Sequence, residues 1–331
     1  MPSAAGLVSR ASAGLRFDGL FWRRLARLGC VYGPEWWKQG SPPVIAATIF
    51  ALVGRNRRGA MANLRCVLAD DDQWRVGLAA LRMFAQFAHC MTETFEYLGP
   101  RPQPIRLDLP AHDTIATALR EGHGAVLVTG HIGNWDIAAK ALRDYDRPIN
   151  LVMARETNAA AAEYVRAIRE QAGVRVIYSD SSVFSSLNMI RALRQNEIVA
   201  IQLDRMVGFG GGRPVPFFGR LAPFPSGPFV LARLAGAPLI PVFAPRLGTR
   251  HYAIRLGQRV TLSREARDPH SLARAMRAVV AQFEDVIREF PSQWFMFAPF
   301  WPADANPAGQ QSAAPHQAES GSDARRAMSD E

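Results

Sequence analysis

The residue types best suited to moving a proton are concentrated in one stretch, Thr129-Gly-His-Ile-Gly-Asn-Trp-Asp136. It falls where an apolar run, Gly124–Thr129, gives way to a helical pattern, the place at which α/β sheets usually put their chemistry. His131 and Asp136 stand five apart across that junction, so a closed first helical turn brings their side chains together. A carboxylate holding one imidazole nitrogen fixes the tautomer and leaves the other nitrogen as a base. Gly130 and Gly133 allow a tight backbone, and the helix start offers amide donors for an oxyanion or phosphate. The spacing alone also permits a blander reading, in which His131 caps a helix and Asn134 satisfies a turn.

Other chemistries find less support. The run Gly208–Gly212 lacks the GxGxxG spacing of a nucleotide site, and neither GxxxxGK[ST] nor the GxSxG of a serine hydrolase occurs. His131 and Asp136 are too few for a metal site, and His123 lies at the far end of the same strand. Cys30, Cys66 and Cys90 show no CxxC spacing and are too few for a disulfide framework. No cofactor and no metal are expected.

These residues need a frame that places strand ends beside helix starts. Asp72–Leu98 repeats apolar residues at steps of three and four and predicts a long helix. After an extended connection over Pro102–Leu109 the signals alternate. Helices are expected at Asp113–Glu121, Trp135–Leu142, Asn158–Gln171, Ser182–Arg194, Gly227–Leu234 and His270–Phe290. Strands are expected at Gly124–Thr129, Pro148–Met153, Val174–Tyr178, Ile198–Leu203 and Leu239–Phe243. Short apolar strands alternating with helices predict an α/β fold with a mixed, largely parallel sheet flanked by helices.

Charge is unevenly spread along the 331 residues, with 39 Lys and Arg against 29 acids, a net +10. Residues 302–331 hold two arginines and five acids, a net −3, so residues 1–301 carry +13. A basic body points to an anionic partner. From Met1 to Ala60 there are nine basic residues and two acidic ones. Within this region Phe17, Leu20, Phe21, Leu25 and Leu28 line one helical face beside arginines, and Trp36 and Trp37 follow. Such a segment suits a membrane interface, the reading that the alternation of aromatics and arginines with apolar residues favours, with a helix packed on its own domain as the alternative. No secretion signal is evident in Met1–Arg16, and the apolar run Pro43–Gly54 is little more than half the ~20 residues that span a bilayer. Three regions are therefore expected: a basic amphipathic membrane-proximal region at 1–60, a catalytic domain at 61–301, and a disordered acidic tail at 302–331. A non-catalytic membrane-surface protein or a nucleic-acid-binding module is the alternative. The chain lacks a nucleic-acid fold signature, so no nucleic-acid partner is expected.

His131-x-x-x-x-Asp136 resembles the HxxxxD motif of glycerolipid acyltransferases. Its surroundings are similar to the lipid A lauroyl/myristoyl acyltransferase family, which includes the phosphatidylinositol mannoside acyltransferases. The resemblance rests on Gly130–Asp136 and on Arg155 after the second strand. It also rests on Arg169-Glu170 before Gly173, Gln202-Leu-Asp204-Arg205 followed by Val215–Gly219, and Ser226-Gly-Pro. Gly236–Val242, Pro291-x-Gln-Trp294-Phe and the upstream Asn56-Arg-Arg and Asn63-Leu-Arg complete it. It covers about residues 35–301. The resemblance implies a glycerolipid acyltransferase-like fold and transfer of a fatty acyl chain from acyl carrier protein or acyl-coenzyme A. The acceptor would be a hydroxyl of an anionic glycolipid or lipid A-type molecule at the cytoplasmic face of the inner membrane. It implies His131, oriented by Asp136, as the base. Asn134, Arg155 and backbone amides near Gly133 would serve the oxyanion, Arg169 and Arg205 would hold phosphates, and Asp204 would act in the site or pair with Arg205 or Arg155. The ending Gln293–Trp301 differs from the Arg- and Lys-rich ending of lipid A acyltransferases, which leaves the acceptor open.

Overall fold

A computed structural model describes residues 20–153, 163, 166–167, 169–170, 173–179, 183–205, 212–264, 268 and 270–301. The expected helix Asn158–Gln171, Arg155, the glycine run 208–212 and the tail 302–331 fall wholly or mostly outside them. The described residues open with four helices: α1 (Leu20–Tyr32), α2 (Glu35–Leu52), α3 (Gly54–Leu68) and α4 (Gln73–Tyr97). Asp72 starts α4 by accepting from the amides of Trp74 and Arg75 at 2.8 and 3.3 Å, which satisfies donors that have no partner inside the helix. Residue 60 lies inside α3, whose Ala60 and Leu64 are fully buried against α4 and Phe295. Lys38 of α2 is buried too, paired with Glu96 of α4 at 3.0 Å.

The α/β part then alternates. Its elements are β1 (Arg106–Asp108), α5 (Thr114–Arg120), β2 (Ala125–Thr129), α6 (Trp135–Leu142), β3 (Ile149–Met153), β4 (Val174–Tyr178), α7 (Val183–Arg194) and β5 (Ile198–Gln202). There follow β6 (Arg213–Phe217), β7 (Arg220–Phe224), α8 (Gly227–Ala235), β8 (Leu239–Phe243), β9 (Arg246–Gly248), β10 (His251–Ala253), β11 (Arg255–Leu256) and α9 (Ser271–Glu289). The central sheet has the order β11-β8-β2-β5-β3-β4, parallel throughout except for the edge strand β11. The expected strands and the mixed, largely parallel sheet are all present.

Alternation along the strands divides the core. Val126, Val128, Val199 and Phe243 face α7, α8 and α9, whereas Ala125, Leu127, Ile198 and Val242 face α5 and α6. Two further small sheets lie beside the central one, β1-β10-β9 and the hairpin β6-β7. The hairpin has no clear signal in the sequence. Pro214, Pro216 and Pro223 disfavour a ladder, yet Val215, Phe217, Ala222 and Phe224 are buried in the core while these prolines lie on the outer side. Its turn places Phe218 and Gly219 at φ +50° and +71°, the left-handed pair that tight hairpins use.

Candidate active site

Strand β2 and strand β5 are parallel neighbours whose last paired residues are Thr129 and Gln202. Two residues beyond each stand His131 and Asp204, so the register of the sheet sets the two side by side although 73 residues separate them. Asp204 Oδ1 and His131 Nδ1 are 2.7 Å apart, and Asp204 Oδ2 accepts from the His131 amide at 2.7 Å and from Trp294 Nε1 at 3.0 Å. Asp204 is 2% exposed and His131 7%. Burial opposes the charge on Asp204, but the nearby imidazole and the three donated hydrogen bonds outweigh it and hold the carboxyl below its usual range. An ionised carboxylate only accepts, so Nδ1 carries the hydrogen in that bond, and Nε2 is the nitrogen that is basic whenever the ring is neutral.

The expectation that Asp136 orients His131 is therefore corrected. Asp136 lies in the first turn of α6 and turns to Arg169, whose Nε and Nη2 donate to its two oxygens at 2.9 and 3.4 Å. The fork geometry of a guanidinium matches a carboxylate, and both side chains are largely buried, so this ion pair takes the carboxylate away from the imidazole. Arg169 is thereby a paired cation. Arg205 is exposed beside Asp204 and bonds neither to it nor to any other described residue. Arg155 lies outside the described residues.

Asn134 is also reassigned. It caps α6 by accepting from the Ile137 amide at 3.3 Å, and its Oδ1 accepts from Thr94 Oγ1 at 3.1 Å. Its two amide hydrogens go to the Cys90 carbonyl at 3.0 Å and the Tyr252 hydroxyl at 3.2 Å. An amide has two donors, and both are committed to the scaffold, so Asn134 has none left for an oxyanion. Of the first-turn amides of α6, that of Ile137 is held by the Asn134 cap, which leaves those of Trp135 and Asp136 without an intrahelical acceptor.

Two glycines make the loop possible. A Cβ on Gly130 would collide with the Phe283 ring, and one on Gly133, at φ +62°, would collide with the Ala244 carbonyl. The loop backbone is pinned on both sides by Phe295 N donating to His131 O at 2.7 Å, Gly133 N to Gln293 O at 3.1 Å and Asn134 N to Ala244 O at 2.9 Å. Trp294 and Gln293 thus belong to the site, which their place in a C-terminal signature hinted at without showing a role.

Beside this loop lies a partly open, mainly apolar pocket. Leu127, Leu142, Ile149, Leu151 and Val242 form its apolar wall, and Asp136 and Arg169 border it. Trp135 also lines the cavity and packs edge-on against the His131 ring, with centroids 5.1 Å apart. Among the described residues no group of three or more His, Cys, Asp or Glu side chains is placed to hold a metal ion.

A parallel sheet thus carries a carboxylate-held histidine just beyond a strand end, beside an apolar pocket. Comparison with known proteins gives the class a name: the chain belongs to the bacterial lipid A biosynthesis acyltransferase family, which it matches over residues 37–302. It is 29% identical over 202 residues to the phosphatidylinositol mannoside acyltransferase of Mycolicibacterium smegmatis, covering 60% of this chain and 64% of that one. It is 28% identical over 193 residues to the protein of the same name from Mycobacterium tuberculosis, covering 58% and 59%. The chain thus spans about three fifths of the length of these relatives. Among solved structures, the 1-acyl-sn-glycerophosphate acyltransferase PlsC of Thermotoga maritima matches with a TM-score of 0.35 and 11% identity, over 80% of this chain and 97% of that one.

Proposed function

We propose that the protein transfers a fatty acyl chain from an acyl thioester to a hydroxyl of an anionic glycolipid, at the cytoplasmic face of a bacterial inner membrane. The observation that carries the reading is the His131–Asp204 pair, whose geometry leaves Nε2 free to take a proton. His131 Nε2 removes the proton of the acceptor hydroxyl as its oxygen attacks the thioester carbonyl. The tetrahedral oxyanion collapses, the C–S bond breaks, and the imidazolium returns its proton to the departing thiolate. Asp204 stabilises the imidazolium between those steps. General base catalysis of this kind contributes about 10²–10⁴-fold. The cavity behind Trp135 takes the acyl chain, each buried CH₂ adding about 0.8 kcal/mol of binding. The carrier of the thioester is acyl carrier protein or coenzyme A.

Attachment to the membrane is through the N-terminal helices. No helix among the described residues is long and apolar enough to cross a bilayer. Leu25, Leu28, Tyr32, Trp36, Val44, Ile45 and Leu52 are nevertheless all exposed on α1 and α2, and Arg55 and Arg58 are exposed just beyond. Aromatic and aliphatic side chains flanked by arginines suit insertion among anionic headgroups.

The test is acyl transfer from both thioesters into a bacterial membrane lipid extract, followed by mass spectrometry of the lipid product, for wild type and His131→Ala. Transfer by wild type that falls at least 10²-fold in the variant is expected. Equal rates in the two proteins, or no transfer from either donor, would overturn the reading.

A further inference from the structure

Glu93, on α4, has no place in the proton transfer, yet two bonded routes lead from its carboxylate to the loop that carries His131. By the first, the Tyr252 hydroxyl donates to Glu93 Oε2 and accepts from Asn134 Nδ2 at 3.2 Å. By the second, Arg246 Nε and Nη2 donate to Glu93 Oε1 at 3.0 and 2.8 Å. The backbone of Arg246 then pairs with the Gln293 side chain, N to Oε1 at 2.7 Å and Nε2 to O at 2.8 Å, and the Gln293 carbonyl receives the Gly133 amide. Glu93, Tyr252, Gln293 and Asn134 are each at most 6% exposed, and the Arg246 side chain is 9% exposed.

The cost of burying this set is the argument for its purpose. A buried ion pair gives little net stability, and apolar side chains of the same size would commonly serve the fold as well. What a fully bonded set adds is a single geometry, because each member loses a partner if any other moves. Burial, with Cys90 and Glu93 nearby, raises the Tyr252 pKa, so its hydroxyl keeps the hydrogen it gives to Glu93. Both routes end within three residues of His131, one on the side chain of Asn134 and one on the backbone of Gly133. We propose that Glu93 is a positioning residue, acting through Tyr252 and Arg246 to hold His131 in line with Asp204 and the acceptor hydroxyl. The inference rests on His131 as the base.

The decisive variant is Tyr252→Phe, which removes one hydroxyl and keeps the ring, with Glu93→Gln beside it. Tyr145→Phe is the control, since it deletes a tyrosine hydroxyl that bonds Asp113 at 2.8 Å, remote from the loop. Displacement of a base by part of an ångström costs on the order of 10- to 100-fold. Tyr252→Phe should therefore lower kcat by about that factor and leave KM for the thioester within about twofold. The imidazole ¹⁵N and ¹H resonances of His131, which need no turnover, should shift in Tyr252→Phe and overlay wild type in Tyr145→Phe. A folded Tyr252→Phe protein with wild-type kcat and unshifted His131 resonances would overturn the proposal. If wild type shows no acyl transfer, the acyltransferase reading fails, and the resonances still decide the positioning role.

Discussion

Asp204→Asn is the substitution on which the site can be judged, because the bonds around Asp204 dictate how the new amide must sit. Oδ2 receives two N–H donors, the His131 amide and Trp294 Nε1, while Oδ1 faces His131 Nδ1. An asparagine that keeps its oxygen at the Oδ2 position satisfies both donors and turns its NH₂ toward Nδ1. Nδ1 then has to accept, the ring hydrogen moves to Nε2, and the base is lost. The opposite orientation sets the NH₂ against two buried N–H groups, each unsatisfied donor costing about 1–3 kcal/mol. The productive tautomer is thus penalised by about 2–6 kcal/mol, which at 1.36 kcal/mol per decade is a fall in kcat of roughly 30-fold to 3 × 10⁴-fold. The assay is single-turnover acyl transfer from the thioester, with ¹⁵N shifts of His131 reporting the tautomer. A folded Asp204→Asn protein with kcat within threefold of wild type would refute the reasoning, decisively so if Asp136→Asn abolished turnover.

Asp136 and Arg169 should behave as a coupled pair instead. Asp136→Asn, Arg169→Gln and the double variant, compared by denaturant unfolding, should show a coupling of about 1–3 kcal/mol, whereas additive losses would argue against the ion pair. Gly130→Ala puts a methyl into Phe283 and should destabilise by about 1–3 kcal/mol while lowering turnover, measured by thermal melting and the transfer assay. Asp204 also predicts an acid limit. Its folded pKa lies below the unfolded value of about 3.9, so its stabilisation is complete above that pH and is lost as pH falls through the folded value. As pH falls below about 4, the stability of wild type should drop more steeply than that of Asp204→Asn, read from urea midpoints.

Legibility in the sequence followed how local each cause is. Helix α4 shows itself through its three- and four-residue apolar steps and Asp72, and β2 through an unbroken apolar run, since each depends on neighbours in the chain. Helix α2 is hidden by Pro42 and Pro43, which read as a break, and β9 to β11 are two or three residues long, too short for any period. His131 stands out because strand end, glycines and helix start are adjacent. The role of Asp204 does not, because it follows from β5 lying next to β2, a property of strand order. Asp136, near in sequence, reads as the natural partner, and only the fold sets Arg169 against it. Asn134 likewise looked free because Cys90, Thr94 and Tyr252 lie far along the chain.

Strand β5 lies between β2 and β3, both of which precede it. The growing chain therefore cannot zip its sheet in order of synthesis. β2 and β3 must stay apart, or part again, until residues 198–202 arrive to separate them. Long-range parallel pairing of this kind is slow, and it leaves the edges of β2 and β3 unsatisfied in the meantime. The last ligand of Asp204, Trp294, arrives 90 residues after the aspartate itself. A polypeptide cut short before Trp294 thus carries every strand of the central sheet but lacks one of the donors that hold Asp204.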